Sequence, residues 1–184
     1  MWKKFKDWTS NNSGSESKFQ SEQILINNQL FTLRSANESD IDRFLKMEKE
    51  LYEGRTPWDA GAFTREIRRH QDALYLILEN TNDLVAFIGL NWNHEESHIT
   101  NFAVLTSYQE QGIGRWLLNY AIDYSRKLKA KKLTLEVSVE NNIAIHLYHT
   151  VGFRDGNIKR FYYNFNNGDA MNMELDLERK EHEE

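Results

Sequence analysis

The chain of 184 residues contains no cysteine and only one proline, Pro57. Without cysteine it has no disulfide framework, no thiolate ligand for zinc and no cysteine nucleophile. No apolar run approaches the roughly 18 residues that a membrane-spanning helix needs. The N-terminus also lacks the apolar centre of a secretory signal. We therefore expect a cytoplasmic protein with no stable membrane association.

Positive charge is also scarce, since 23 Lys and Arg face 28 Asp and Glu and give a formal charge of −5. This balance argues against direct binding to nucleic acid and leaves room for a basic peptide or polyamine partner. Hydrophobic residues make up 40% of the chain and aromatic residues 12%. Length and composition together favour one domain that is large enough to bury a core.

The two ends of the chain differ from its centre. Residues 1–22 have an Asn-, Ser-, Gly- and Glu-rich middle, which predicts a flexible extension. Aromatic residues spaced three apart among its lysines leave a weak membrane or partner anchor as the alternative. Residues 179–184 form a charge run, which predicts a solvated tail. The folded domain is therefore expected over residues 23–178.

Periodicity predicts intermingled strands and helices within this domain. Two alternating runs flank Asn27-Asn28 and predict a hairpin, and helical spacing predicts a helix capped at Asn37 or Ser39. A second helix is expected to begin at Pro57, because proline suits the first helical turn. Further strands alternate with a long amphipathic helix and a short one, without an internal repeat. We therefore expect a mixed sheet that contains a strand–helix–strand crossover.

His94-Glu95-Glu96-Ser97-His98 matches the zinc-protease pattern H-E-x-x-H. That pattern binds zinc when a helix brings both histidines to one face. Here it lies between two runs that alternate like strands, so we interpret the five residues as a hairpin loop. We expect no metal site at this position.

A turn with two glycines, Gly112 and Gly114, lies between an apolar run ending at Val104 and an amphipathic helix. If the helix begins near Gly112, the backbone N–H groups of residues 110–115 point outward at its N-terminus. Such an arrangement suits a diphosphate. The turn lacks the Lys-Ser/Thr of nucleotide-triphosphate loops and the third glycine of dinucleotide fingerprints. A turn that needs glycine for steric reasons alone is the alternative.

Residues 109–114, Gln-Glu-Gln-Gly-Ile-Gly, fit the pattern Q/R-x-x-G-x-G/A and resemble the acetyl-coenzyme A pyrophosphate loop of the GNAT N-acetyltransferase superfamily. The resemblance continues over residues 135–153, with their Leu-Glu-Val, Asn, Leu-Tyr and Gly-Phe, and over residues 159–177. Residues 47–63, with Pro-Trp and a downstream Phe, resemble ribosomal-protein alanine N-acetyltransferases. The similarity covers roughly residues 30–177.

The resemblance implies the GNAT fold, an α/β (α+β) domain with a mixed central sheet of about six or seven strands and about four helices. It also implies acetyl-coenzyme A as co-substrate and no metal. One strand would pair with the pantetheine arm, the loop would supply amides to the pyrophosphate, and an asparagine would contact the cofactor. The residues concerned are Phe102, Ala103, Val104, Gln109, Glu110, Gln111, Gly112, Ile113, Gly114, Arg115 and Asn141.

The resemblance further implies that Glu136 is the proton acceptor and Tyr148 the proton donor. A carboxylate acting through water suffices for an α-amine, whose pKa is about 8 against about 10.4 for lysine. Alternatives are a solvent-facing strand residue for Glu136, a core aromatic for Tyr148 and a helix cap for Asn141. His149 is a remote alternative base.

The expected function is acetyl transfer from acetyl-coenzyme A to an amine. By resemblance the acceptor is the N-terminal α-amine of a protein, the alanine terminus of a ribosomal protein. A polyamine or amino acid acetyltransferase is the alternative enzyme, and a non-catalytic coenzyme A-binding module is the alternative outside catalysis. The chain departs from the family pattern at Leu105-Thr106, where the family commonly has Asp-Pro, and matches least well in the early helices that would bind the acceptor.

Overall fold

The computed structural model of the chain describes residues 19–69, 71–163 and 168–178. Within these ranges there are eight strands and four α-helices. The strands are β1 (Glu22–Ile26), β2 (Gln29–Ser35), β3 (Ala73–Glu79), β4 (Leu84–Trp92), β5 (Glu96–Val104), β6 (Lys132–Ser138), β7 (Arg154–Tyr163) and β8 (Gly168–Asp176). The helices are α1 (Ile41–Leu51), α2 (Ala60–Ile67), α3 (Ile113–Lys127) and α4 (Asn142–Thr150).

All eight strands belong to one sheet in the order β1-β2-β3-β4-β5-β6-β8-β7. Every neighbouring pair is antiparallel except β5 and β6, which are parallel and joined through α3. A parallel pair needs such a crossover, because a tight turn reverses the chain direction. The mixed sheet with a crossover is confirmed, although it has eight strands where about six or seven were expected.

The hairpin predicted at Asn27-Asn28 is confirmed, with Ile26 paired to Gln29 across it. Both asparagines have positive φ, 48° and 65°. A two-residue turn between twisted strands requires this conformation, and asparagine adopts it more readily than most residues.

The predicted helix starts had different outcomes. Asn37 caps a 3-10 turn over Glu38–Asp40, and α1 follows directly. The prediction that α2 begins at Pro57 is wrong. Asp59 caps α2 instead, with its carboxylate accepting from the N–H of Ala62 at 2.7 Å. An aspartate cap satisfies a helix amide directly, which outweighs the preference of proline for a first turn.

The helices divide between the two faces of the sheet. On one face, α1 and α2 bury a cluster of aromatic rings in which Phe44 lies within 5.6 Å of Phe63, Tyr75 and Phe87. On the other face, α3 buries Leu117, Leu118 and neighbouring apolar residues against the central strands. Each face of the sheet is therefore covered, as the near-continuous burial of β4 requires.

Strands β5 and β6 are paired over only the first half of their length. They pair from Glu96 with Lys132 to Ile99 with Leu135, and β5 then continues to Val104 paired with β4 alone. A bulge at Gly89/Leu90 inserts an extra residue on β5 where the pairing with β6 ends. Gly89 lies opposite the bulge, where a Cβ would lie 2.6 Å from the hydroxyl of Thr100, the extra residue. A bulge bends its strand, and beyond Ile99 and Leu135 the two strands are no longer paired with each other. We call the space between these unpaired strand ends the cleft.

Among the described residues, no helix is long and apolar enough to cross a membrane. The predicted extension and tail lie largely outside the described residues. Phe19, within the predicted extension, does contact the domain, with its ring 6.3 Å from that of Tyr120 on α3.

Candidate active site

The glycine turn leads into α3 with its backbone N–H groups available. Gly112 is the N-cap with φ of 79°, and Glu110 also has positive φ, 58°. The N–H of Trp116 donates to the carbonyl of Gly112 at 3.0 Å, and no described side chain caps the helix. The N–H groups of the first turn therefore face outward, which makes the end of α3 suitable for an anion.

Side chains brace this turn from within. The amide nitrogen of Gln109 donates to the carbonyl of Val104 at 3.0 Å, and that of Gln111 donates to Ser107 at 2.9 Å. Asn27, in the β1–β2 turn, donates to the carbonyl of Gln111 at 2.7 Å. The two glutamines predicted as cofactor contacts thus hold loop carbonyls, which leaves ligand contact to the backbone N–H groups.

The two glycines of the turn serve different purposes. Gly112 is exposed and needs its left-handed conformation, which other residues adopt at a cost. Gly114 allows close packing, since a Cβ there would lie 3.2 Å from Leu147 on α4. The side chain of Ile113 is 1% exposed and belongs to the core, so only its backbone is available. Arg115 is exposed on the first turn of α3.

The three predicted strand residues, Phe102 to Val104, form the end of β5 beside the cleft. Ala103 is buried towards α1 and α2, whereas Phe102 and Val104 pack against the α3 side. The ring of Phe102 lies 6.5 Å from that of Tyr148, so the two flank the same region.

Helix α4 holds two further predicted residues. Asn141 caps it, accepting from the N–H of Ala144 at 3.1 Å, and is exposed. Tyr148 is 6% exposed, and burial raises its pKa, with the charges of Tyr52 and Tyr163 adding to the effect. The adjacent His149 is exposed, and its Nε2 lies 2.6 Å from the carboxylate of Asp155.

Glu136 lies on β6 immediately after the last residue paired with β5. Its side chain is 11% exposed, so the alternative of a solvent-facing strand residue is wrong. One carboxylate oxygen lies 2.6 Å from Nζ of Lys159, and the other lies 3.1 Å from Nε2 of His98. The hydrogen bond from His98, followed by that from Lys159, outweighs desolvation and lowers the pKa of Glu136 to about 2.

The H-E-x-x-H segment is split between a turn and a strand. Asn93 closes the turn by accepting from the N–H groups of Glu95 and Glu96, both at 2.9 Å. The expected loop is therefore shorter than predicted, because Glu96 to His98 belong to β5. His94 is exposed, whereas His98 reaches Glu136. The described residues contain no group of three His, Asp or Glu that could hold a metal ion.

The pKa values of Tyr148 and Tyr163 are raised by burial and by the charges of neighbouring groups. Burial raises the pKa of Tyr163, and the charges of Tyr52, Tyr162 and Glu136 contribute. Tyr163 in turn affects the pKa of Tyr148. Charge interactions are screened less where water is excluded, so the carboxylate and these phenols affect one another in this part of the fold.

Glu48 on α1 is buried, at 1% exposure, and burial raises its pKa. Its carboxylate accepts from the N–H of Trp58 at 3.1 Å and from the side chain of Asn101 at 3.2 Å. It therefore joins the loop before α2 to β5 at the cleft. Its position seven residues after Ile41, on the apolar face of α1, is the sequence signal that could have revealed it.

Residues 38–153 match the family model described as the acetyltransferase (GNAT) family. The chain belongs to the GNAT family. The match includes the glycine turn, Glu136, Asn141 and Tyr148, and it ends at the glycine-phenylalanine pair after α4. The mixed sheet with its parting strands is therefore a GNAT fold, as the resemblance implied.

This GNAT protein is similar to enzymes of ribosomal protein acetylation. The putative ribosomal protein bS18-alanine N-acetyltransferase of Bacillus subtilis is 30% identical over 141 residues, which are 77% of this chain and 92% of that protein. The Escherichia coli ribosomal protein bS18-alanine N-acetyltransferase is 32% identical over 150 residues, 79% and 97% of the two chains. The crystal structure of the ribosomal-protein-S18-alanine N-acetyltransferase from Escherichia coli superposes with a TM-score of 0.71 at 29% identity, covering 84% of this chain and 98% of that one.

Family and relatives together identify an acetyl-coenzyme A-dependent N-acetyltransferase. The GNAT turn fits a diphosphate, because it joins outward N–H groups to a left-handed glycine. A Cβ at Gly112 would lie 3.3 Å from the amide nitrogen of Asn27, so the hairpin closes one side of the turn.

Sequence reasoning missed His98, Lys159 and Asn27 as parts of this GNAT site. His98 was considered only as a zinc ligand, although its strand-like alternation already placed it on one face of β5. Asn27 lies 84 residues from Gln111, its partner in the turn, and no local pattern connects them.

Proposed function

We propose that this acetyltransferase acts on the N-terminal α-amine of a protein, with the alanine terminus of a ribosomal protein as its acceptor. The observation that carries the proposal is the carboxylate of Glu136 beside the parted strands, with the phenol of Tyr148 near the same region. Relatives named for ribosomal protein bS18-alanine acetylation, which match nearly over their whole length, support this acceptor. Such a protein is made in the cytoplasm, so we assign this enzyme to the same place.

Acetyl-coenzyme A supplies the acetyl group as a thioester, and the chain has to manage two protons. Glu136 takes the proton of the amine through a water molecule. The amine nitrogen bonds to the carbonyl carbon as the carbon–sulfur bond breaks, and the hydroxyl of Tyr148 donates a proton to the leaving sulfur. A phenol kept neutral by burial has that proton available at neutral pH.

The weak basicity of Glu136 favours an α-amine over a lysine side chain. The pKa of an α-amine is about 8 and that of a lysine side chain is about 10.4. At pH 7 roughly a tenth of α-amines are therefore neutral, against roughly one lysine in 2,500. A carboxylate whose pKa is about 2 gives little driving force for deprotonation. The α-amine, which is more often neutral and depends less on deprotonation by Glu136, is therefore the better substrate.

Residues 23–178 form the catalytic domain in this proposal, with the backbone of residues 110–115 on the diphosphate and β5 beside the pantetheine arm. Phe102, Ala103 and Val104 line that arm, and Asn141 lies at the N-terminus of α4 nearby. Residues 1–22 and 179–184 are an extension and a tail outside the reaction.

Mass spectrometry of acetyl transfer tests the acceptor. The substrates are a peptide with a free N-terminal alanine, the same peptide blocked at its N-terminus but carrying an internal lysine, and spermidine. We expect acetylation of the free alanine peptide at a rate at least about tenfold above the blocked one, following the neutral amine fractions. Acetylation of spermidine or lysine in preference to the α-amine would contradict the proposal.

A further inference from the structure

A chain of hydrogen bonds runs behind Glu136 across β5 and β6. Nδ1 of His98 lies 2.8 Å from the hydroxyl oxygen of Thr134, and that hydroxyl donates to the carboxylate of Glu96 at 2.6 Å. Nε2 of His98 lies 3.1 Å from Glu136. Thr134 is 3% exposed, so this chain is closed off from solvent at its centre.

The hydrogen-bond partners of Thr134 determine which ring nitrogen of His98 carries hydrogen. Glu96 is paired with the ammonium of Lys132 at 3.3 Å, and an ionised carboxylate only accepts hydrogen bonds. The single hydrogen of Thr134 is therefore used on Glu96, and its oxygen must accept from Nδ1–H of His98. Nε2 then has no hydrogen unless the ring is a cation. A contact with ionised Glu136 requires that extra proton.

We propose that His98 is the proton store behind Glu136, so that the two side chains act together as the base of the acetyl transfer. Before it takes up the proton, His98 carries hydrogen on Nδ1 alone and Glu136 is ionised, and the 3.1 Å contact from Nε2 to Glu136 is the one made once Nε2 holds the proton. The ammonium of the acceptor loses one proton, Glu136 passes it on, and Nε2 of His98 holds it. The amine becomes neutral and the ring becomes a cation, so charge and protons balance. The proposal rests on the proposed function for the role of Glu136.

Glu136 does not hold the proton by itself. The ammonium of Lys159, 2.6 Å from its carboxylate, favours the ionised form. Nε2 of His98 lies 3.1 Å from that carboxylate, and an imidazole that donates through one ring nitrogen can take up a proton on the other. His98 is thus a positioning and proton-holding residue that acts through Glu136.

Other charged groups surround the pair without competing for the proton. The interaction with Glu136 raises the pKa of Lys159. Interactions with Glu174 and Glu96 raise the pKa of Lys132, so both lysines remain cations. Burial raises the pKa of the neighbouring phenols, which remain neutral. The groups facing the pair are Glu96 on β5, Lys132 on β6, Lys159, Tyr162 and Tyr163 on β7, and Glu174 on β8.

His98→Gln tests the proposal, because glutamine can still donate a hydrogen bond to Glu136 but cannot store a proton. His94→Gln, on the exposed histidine four residues earlier, is the matched control. We expect kcat of His98→Gln at neutral pH to fall by about tenfold or more, and His94→Gln to match the wild type. An unchanged kcat for His98→Gln would overturn the proposal.

The pH profile separates proton storage from a structural role. The form that accepts the proton has no hydrogen on Nε2, and glutamine at this position has no such form. The ratio of wild-type kcat to His98→Gln kcat should therefore increase with pH, while titration of the acceptor amine affects both enzymes alike. A ratio that stays constant with pH would show a structural role and contradict proton storage.

Nitrogen NMR of the His98 ring in the ligand-free protein gives a readout that needs no acceptor. We expect the neutral ring to carry its hydrogen on Nδ1, and Thr134→Val to move it towards Nε2. A wild-type neutral ring with hydrogen on Nε2 would refute the proton count. If instead no α-amine is acetylated while the NMR result stands, the proposed acceptor fails and the paired groups remain.

Discussion

Glu136 and Tyr148 show how residues of ordinary chemistry are given opposite charge states within one site. Hydrogen bonds from His98 and Lys159 keep the carboxylate ionised, and they lower its pKa to about 2. Burial keeps the phenol neutral, since a phenolate would lose its hydration. At the scale of single residues, the environment therefore determines the charge state of each group.

Tyr148→Phe removes only the hydroxyl and keeps the ring packed between Phe102 and Phe153. Under the proposed mechanism the leaving thiolate then lacks its proton donor, so we expect kcat to fall by about a hundredfold or more, with the affinity for coenzyme A nearly unchanged. Steady-state kinetics and coenzyme A binding measure the two effects. Tyr124→Phe, on a half-buried α3 tyrosine that packs against Trp92 at the end of β4, is the control and should retain full activity. A fully active Tyr148→Phe would remove this residue from the mechanism.

The N-terminus of α3 shows how an element creates a binding surface from backbone alone. The cap is a glycine, and the neighbouring glutamine side chains and Asn27 hold carbonyls of the turn. The N–H groups are left for the ligand, and the helix dipole adds to their attraction for an anion. Side-chain identity at Gln109 and Gln111 therefore matters for the shape of the turn.

Gly112→Ala tests this element, and Gly54→Ala is its matched control. Both glycines have left-handed φ, 79° and 87°, and Gly54 has nothing within 4 Å of a built Cβ. Each substitution should lower the free energy of unfolding by roughly 1–2 kcal/mol through backbone strain. Only Gly112→Ala should also weaken coenzyme A binding, by about tenfold, because the N–H groups move.

Denaturant unfolding and calorimetric binding would measure these two effects separately. Equal coenzyme A affinities for Gly112→Ala and Gly54→Ala would contradict a diphosphate site in the turn. Gly114 is a less suitable test, because a side chain there would also disturb the packing against Leu147.

At the scale of the whole molecule, the sheet lies between two hydrophobic cores, and two of its strands, β5 and β6, pair over only part of their length. Both faces of β4 are buried, one by α1 and α2 and the other by α3. The parting of β5 from β6 leaves one strand edge beside both cores. A ligand bound in that cleft contacts elements from the whole fold, and its binding should therefore stabilise the whole protein.

Coenzyme A should raise the melting temperature of this protein. A ligand at 100 times its Kd stabilises the folded state by about 2.7 kcal/mol, which corresponds to roughly 5–10 °C for a domain of this size. Pantetheine, which lacks the diphosphate, should give a clearly smaller shift at the same concentration. Thermal unfolding measures both. No shift with coenzyme A would contradict cofactor binding, and equal shifts would contradict the diphosphate contact.

Local patterns in the sequence determined much of this protein. The two asparagines fixed a hairpin turn, because few residues adopt their conformation. The glycines before an amphipathic run predicted the turn and the helix that follows it. The preference of proline for a first helical turn predicted the wrong start for α2. Asp59 caps this helix instead, because its carboxylate satisfies a helix amide directly.

The tertiary structure alone decided what surrounds Glu136. Alternation places His98 and Glu136 each on a face of its strand, but only the register of β5 against β6 makes them neighbours. Lys159 arrives from 23 residues further along the chain, on a strand that does not pair with β6 at all. Hydrogen-bond register and sheet order depend on packing over the whole domain, so local periodicity cannot specify them. The sequence therefore determined the residue types of the site, and the fold determined their charge states.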